Sequence, residues 1–542
     1  MKTVNQISSI VILFVGVVLH VSQVAGQPGI QWQKCYGSSY GEWVHDLKLT
    51  NDGGYVLLGE TSIGNNGDVS GNHGSDIWVV KLDTAGTMQW QKCLGSTDTD
   101  IGYSIQQTSD GGYIVCGKVY ANGGDVSGLH DTLQTGFTDA WIVKLDTVGN
   151  IQWQHCYGGS YHDYAMDIIQ TADGGYAFTG ETVSNDYDVS GNHGTNDVWL
   201  VKISDNGLLQ WQKCLGGSLR EVGISLLQTT DGGYIIGGQT ISNDGDVSGI
   251  HSATQFDAWV VKTDSTGNIQ WQHCYGGSSQ EGIMSLRKTS DGGYIFVAGT
   301  YSMDGDVSGY HASFYMYGDA WVVKIDSSGN IQWQRCYGGT ENDIFYSVEQ
   351  TTDGGYILGG WSASIDGDLS GIHSGVAGDG DLWAVKINNA GTILWQKCLG
   401  GTSEDWSGRV RQTPDNGFIG ACTTYSNDGD VSGNHYVLPT LSMDCWVVKL
   451  GADTILSVKE NQTTACDITL YPNPSHNYVV IKLSSGISEG ELRITDLMGK
   501  QLYYEQFTDK KEWVIYPQLS RGMYLVELDG TDTRITRKLM VQ

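Results

Sequence analysis

The chain has 542 residues, of which 76 are Gly and only 6 Pro, and its 60 Asp+Glu against 30 Lys+Arg give a net charge of −30. Glycine without Gly-X-Y triplets or abundant proline excludes collagen, and a 10% share of aromatics excludes a disordered chain. The acidity argues against nucleic acid and against anionic membrane surfaces as partners.

Met1-Lys2, an apolar run from Ile10 to Leu19 and the small pair Ala25-Gly26 read as a secretory signal peptide over 1–26. No other apolar run approaches 18 residues, so no membrane-spanning helix is expected beyond it.

Four signatures then recur seven times in fixed order, about every 60 residues. Trp-Gln-x-Cys begins at Trp32, Trp90, Trp153, Trp211, Trp271, Trp333 and Trp395. Asp-Gly-Gly-Tyr begins at Asp52, Asp110, Asp173, Asp231, Asp291 and Asp353, with the variant Asp415-Asn416-Gly417-Phe418. Asp-(Val/Leu)-Ser-Gly-x-His begins at Asp68, Asp125, Asp188, Asp246, Asp306, Asp368 and Asp430. Asp-x-Trp-x-Val-Lys begins at Asp76, Asp139, Asp197, Asp257, Asp319, Asp381 and Asp444.

Each unit holds four β-branched, aromatic runs bounded by glycine turns. In the second unit these are Ile105–Thr108, Tyr113–Cys116, Trp141–Leu145 and Ile151–Gln154, with a long polar loop between the second and third. Seven units of four antiparallel strands predict an all-β, seven-bladed propeller over 27–450. The strand Ile30–Cys35 precedes any complete unit, and the last unit lacks a following Trp-Gln strand. The N-terminal strand is therefore expected to complete the last blade and remove open edges.

The Gly-Gly pair by the second strand and the Trp after the third-strand hairpin resemble kelch-type repeats. Leu145-Asp146-x-x-Gly149-x-x-x-Trp153 resembles the quinoprotein-type propeller phrase. Neither resemblance is specific: the period exceeds that of kelch, and quinoproteins usually have eight blades.

The repeats stop near Leu450. A polar stretch over 451–465 reads as a linker, and 466–542 forms a near-neutral second domain with 9 Lys+Arg and 10 Asp+Glu. Its segments Leu470-Tyr471-Pro472-Asn473-Pro474, Leu492 to Lys500, Gly522-Met523-Tyr524-Leu525-Val526 and Lys538 to Gln542 resemble the C-terminal sorting domain of type IX secretion cargo. That resemblance implies a small β-sandwich recognised by an outer-membrane translocon, and a secreted or surface-attached protein.

The long loops carry the strongest candidate site. Asp244-Gly245-Asp246-Val247-Ser248-Gly249 matches the front half of an EF-hand calcium loop, in which alternate oxygens face a hard cation. Equivalent sets are Asp186, Asp188 and Ser190; Asp304, Asp306 and Ser308; Asp366, Asp368 and Ser370; and Asp428, Asp430 and Ser432. The bidentate Glu at position 12 is missing, since Gln255 stands there, with Asp257 nearby. Two readings stand side by side: calcium as the cofactor, or side chains that cap their own loop in Asx turns.

The seven loop histidines, His73 to His435, are too far apart to share a zinc and are expected to hydrogen-bond structurally. The one-per-unit cysteines are expected to be buried thiols, and only Cys422 and Cys445 sit where a disulfide is conceivable. Asp-Gly-Gly-Tyr resembles the sialidase Asp-box but is read as a hairpin turn, and both tryptophan sets are assigned to the inter-blade core.

Catalysis has little footing. Seven equivalent carboxylates supply no asymmetry of pKa, and the repeat-breaking residues Trp361, Trp406, Arg220 and Arg409 form no recognisable constellation in sequence. The expected function is a non-catalytic binding or adhesion module for an extracellular glycan or protein. The alternatives are a glycan-active enzyme using the propeller funnel and a structural surface-layer component.

Overall fold

The four runs of every unit become four antiparallel strands. The computed structural model describes residues 27–130, 136–312, 318–374, 379–435 and 442–453. In the C-terminal segment it describes 468–471, 478–483, 489–496, 500–516, 519, 522–530 and 534–541. The signal-peptide segment and nearly all of the linker lie outside the described residues. No described helix is long and apolar enough to cross a membrane.

The chain divides into two compact units, 1–455 and 456–542. In the first, seven four-stranded sheets form. Their first strands, Glu42–Leu49, Asp100–Gln107, Asp163–Gln170, Glu221–Gln228, Glu281–Lys288, Asp343–Gln350 and Asp405–Gln412, touch one another in sequence, and the last touches the first. These innermost strands therefore surround a central channel. The fourth strand of the seventh sheet is the N-terminal Ile30–Tyr36, which pairs antiparallel with Asp444–Leu450 and closes the ring. Ring closure completes the seventh sheet, so each blade ends on an outermost strand of only seven residues.

The core lies between blades. One cluster joins Val56, Leu58 and Val79 of the first blade to Ile105, Val115 and Trp141 of the second. Another joins Ile419 and Val447 of the seventh to Val44 and Trp78 of the first. The Asp-x-Trp tryptophans, Trp78 to Trp446, are fully buried. The Trp-Gln tryptophans are half-buried instead, Trp395 excepted, because the outermost strand has one face on solvent. They pack on the Asp-Gly-Gly-Tyr tyrosines, as Trp90 does on Tyr113 with ring centroids 5.5 Å apart.

Cys422 and Cys445 are both free thiols. Thr423, not Cys422, faces Cys445 in the ladder, so the two sulfurs lie on opposite faces of the sheet and enter different cores.

The second unit is a small sandwich. One sheet pairs Ile468–Tyr471, Val479–Leu483 and Glu512–Ile515. The other runs Gln501–Thr508, Glu489–Asp496, Gly522–Gly530 and Arg534–Val541. Val479, Ile481, Leu492, Ile494, Trp513, Val526 and Leu539 fill one core between them.

Candidate functional site

The signatures first build a scaffold. Each Asp-Gly-Gly turn carboxylate, and Asp415 of the Asp-Asn-Gly variant, receives the lysine of its own blade's Asp-x-Trp-x-Val-Lys strand, at 2.8–3.0 Å in all seven blades. The Thr229 hydroxyl and the Lys262 ammonium hold Asp231 down at about 2. The Trp78 indole donates to Gln91 Oε1 (2.8 Å), and Gln91 Nε2 donates to the Ser70 hydroxyl (2.5 Å). In the seventh blade the N-terminal strand supplies this glutamine: Trp446 donates to Gln33, which donates to Ser432.

The calcium-loop residues are placed by the same scaffold. Asp244 Oδ1 accepts the Ser218 N–H at 2.7 Å, and Asp186, Asp304, Asp366 and Asp428 accept the equivalent N–H groups of Ser160, Ser278, Thr340 and Thr402. The second aspartates, Asp188, Asp246, Asp306 and Asp368, each approach the N–H of an entry glycine at 3.2–3.4 Å. Asp430 is instead 3.5 Å from His373 Nε2. The serines Ser190, Ser248, Ser308, Ser370 and Ser432 accept a Trp-Gln glutamine amide. The three side chains of each set thus serve three different donors, although carboxylate oxygens such as Asp244 Oδ2 retain lone pairs.

The loop histidines bind the Asp-x-Trp carboxylates. His193, His251, His373 and His435 Nδ1 stand 2.6 Å from Asp197, Asp257, Asp381 and Asp444. Hydrogen bonding to their aspartates raises the pKa of His130, His311, His373 and His435. A second buried carboxylate heads each innermost strand. Burial pushes Glu42, Asp100, Asp343 and Asp405 up to about 7 and Asp163 to about 6, against the hydroxyl and N–H donors that surround them.

One set of positions that differ between blades gathers at one end of the channel. The second residue of each innermost strand pairs with the sixth of the next strand. The seven pairs are Trp43–Glu60, Ile101–Lys118, Tyr164–Glu181, Val222–Gln239, Gly282–Gly299, Ile344–Trp361 and Trp406–Thr423. In the first three blades these residues engage one another or close neighbours. Glu60 accepts from Ser75, Lys118 lies 4.4 Å over the Tyr164 ring, and Arg220 grips Glu181 through two nitrogens. The fifth blade contributes two glycines and hence no side chain.

The gap becomes a cavity of about 320 Å³. Tyr301, Tyr346, Met284 and Trp361 give it apolar surface, while Gln239, Gln280 and Asn342 bring amides. Gln239 and Gln280 make no side-chain hydrogen bond to a described residue, and Trp361 Nε1 is likewise without a partner. Asp343 also lines the cavity, but its oxygens are taken by Gly339, Ser362 and Ser364, as in the other blades. Trp361, Trp406, Arg220 and Arg409, scattered in sequence, thus belong to one channel and its mouth. Aligning the repeats exposes the variable positions, but only strand register shows that they meet.

Residues 469–542 match the secretion system C-terminal sorting domain. The chain is therefore a propeller exported as type IX secretion cargo, secreted or attached at the cell surface. A stretch of 168 residues is 27% identical to the regulatory protein FlaEY of Caulobacter vibrioides, covering 29% of this chain and 17% of that protein. Among solved structures, a duf4221-family member from Bacteroides vulgatus aligns over 62% of this chain and 93% of its own, at 8% identity and a TM-score of 0.32. A GH43_12 protein from a capybara gut metagenome aligns over 95% and 91%, at 10% identity and a TM-score of 0.26.

Proposed function

We propose that this protein is a non-catalytic binding module that takes a glycan end into the cavity of the fourth to sixth blades. The observation that carries the reading is the Gly282–Gly299 gap, walled by aromatic rings and by the Gln239 and Gln280 amides, which have no partner among the described residues. Aromatic faces stack on the C–H faces of a sugar, and free amides match its hydroxyls. A volume of about 320 Å³ lies at the lower end of the range for small-molecule pockets, roughly 300–1,000 Å³, and suits one terminal sugar better than a folded protein segment.

An enzyme reading fares less well. Glycoside hydrolysis uses two carboxylates about 5–9.5 Å apart. Asp343 is the one carboxylate among the lining residues, and its hydrogen bonds repeat at Asp163 and Asp405 in other blades.

Filling the gap tests the proposal. A Cβ on Gly299 would meet nothing nearer than Ile344 Cδ1 at 3.7 Å, so Gly299→Leu should fold normally. On a glycan array the wild-type chain should bind a defined terminal sugar, and Gly299→Leu and Trp361→Ala should lose at least about tenfold in affinity. Equal binding by all three proteins would place the ligand elsewhere, and turnover of a bound glycan would replace binding with catalysis.

A further inference from the structure

Further along the channel, the innermost strands carry a charge pattern opposite to that of the protein as a whole. Lys48, Arg287, Arg409 and Arg411 come together there with Asp46, Asp167 and Glu349, an excess of cations inside a chain of net charge −30. The Lys48 and Arg411 side chains are 25% and 8% exposed.

The carboxylates named, one fewer than the cations, make no hydrogen bond to the guanidinium groups. Asp46 is held by Lys48 at 2.8 Å and by the N–H groups of Leu47 and Ile105. Asp167 accepts from Ser104, Ile168 and Leu226, and Glu349 accepts from the Gln412 N–H. Arg411 Nη1 is spent on the Val410 carbonyl, and its Nη2 lies 3.9 Å from Asp46 Oδ1, beyond hydrogen-bond reach. Arg287 Nη1 donates to the Leu286 carbonyl and Ser225, and Arg409 donates to the carbonyls of His45 and Tyr346. No arginine of the cluster donates to a carboxylate among the described residues.

A more than nine-tenths buried guanidinium without a hydrogen-bonded counter-ion is costly, and like charges beside it raise the cost. Burial, aided by the neighbouring cations and opposed by Asp46, Asp167 and Glu349, holds Lys48 and Arg411 below their ordinary pKa values. The planar guanidinium fork is the side chain best matched to an oxyanion.

We propose that the channel binds one small oxyanion between Arg287 and Arg411, with Lys48 beside it. Inorganic sulfate or phosphate and the carboxylate of an acidic sugar share this chemistry. The acidic surface excludes long polyanions but leaves a single small anion free to enter. Arg409 of the same cluster donates to the carbonyl of Tyr346, a residue that lines the glycan cavity. The proposal does not depend on the glycan reading.

The test is calorimetric titration of the full chain with sodium sulfate and with sodium glucuronate, against sodium chloride and glucose at matched ionic strength. We expect saturable one-to-one binding of sulfate or glucuronate. Arg287→Gln and Arg411→Gln should each weaken it at least about tenfold, and thermal unfolding should confirm that both variants fold. Sulfate binding alone identifies a free inorganic anion, whereas glucuronate binding that glucose does not reproduce identifies an acidic sugar. No saturable binding of either, or equal affinity in wild type and both variants, overturns the proposal. Because Gly299→Leu leaves these arginines untouched, failure of the glycan reading and failure of the anion site are read separately.

Discussion

Replacing Asp343 by asparagine removes a proton site that burial has moved far from its ordinary range. The side chain is 2% exposed. Burial raises its pKa to about 7, Asp319 across the blade junction adds to the rise, and the donors Ser362, Gly339 and Ser364 oppose it. An unfolded aspartate titrates near 3.9, so the folded protein binds the extra proton between about pH 4 and pH 7. Stability must fall as pH rises through that window and level off above it. At about 1.4 kcal/mol per pH unit, the span from pH 5 to pH 7 amounts to about 3 kcal/mol for this one group. Asparagine is neutral throughout. Its mismatch with the surrounding donors costs the same at both pH values and cancels in the comparison. Denaturant unfolding of wild type and Asp343→Asn, followed by tryptophan fluorescence at pH 5 and pH 8, should show the gap between them shifting by about 3 kcal/mol in favour of the variant at pH 8. An unchanged gap would refute the assignment of a neutral Asp343 in the folded state.

Three further outcomes are expected. Because the loop aspartates already hold backbone N–H groups, chelator should leave the melting temperature unchanged, while Asp244→Ala should lower it equally with or without calcium; a chelator-induced drop would assign the loops to calcium. Gly238→Ala should cost more than about 3 kcal/mol in denaturant titration, since its Cβ would lie 1.8 Å from the Val222 carbonyl, whereas Gly299→Ala should be nearly neutral. Deleting 469–542 should leave the propeller folded but absent from the culture medium and cell surface, as immunoblots of fractionated cells will show.

The repeat signatures made the ring legible. Seven copies of a turn, a strand and a tryptophan leave little freedom of topology, and a surplus strand at Ile30 matched by a missing one after Lys449 predicts the closure that the ladder to Asp444–Leu450 makes. Strand lengths were less legible. The second unit's innermost strand begins at Asp100, not Ile105, because Gly102 and Ser104 flank a register shift and do not read as strand formers. The exposure of the Trp-Gln tryptophans was hidden for a related reason: their strand is outermost, and sequence does not say which strand faces solvent.

By itself the sequence determined a secreted, seven-unit β ring followed by a sorting domain, because identical units have one mutually consistent way to bury their tryptophans. Only the tertiary structure decided where the units differ to effect. Register sets Gly282 opposite Gly299 and leaves a cavity between Gln239 and Trp361. Ring closure carries Lys48 of the first blade to Arg411 of the seventh, 363 positions along the chain. Neither meeting follows from spacing, because each depends on strands that approach only when the ring is shut.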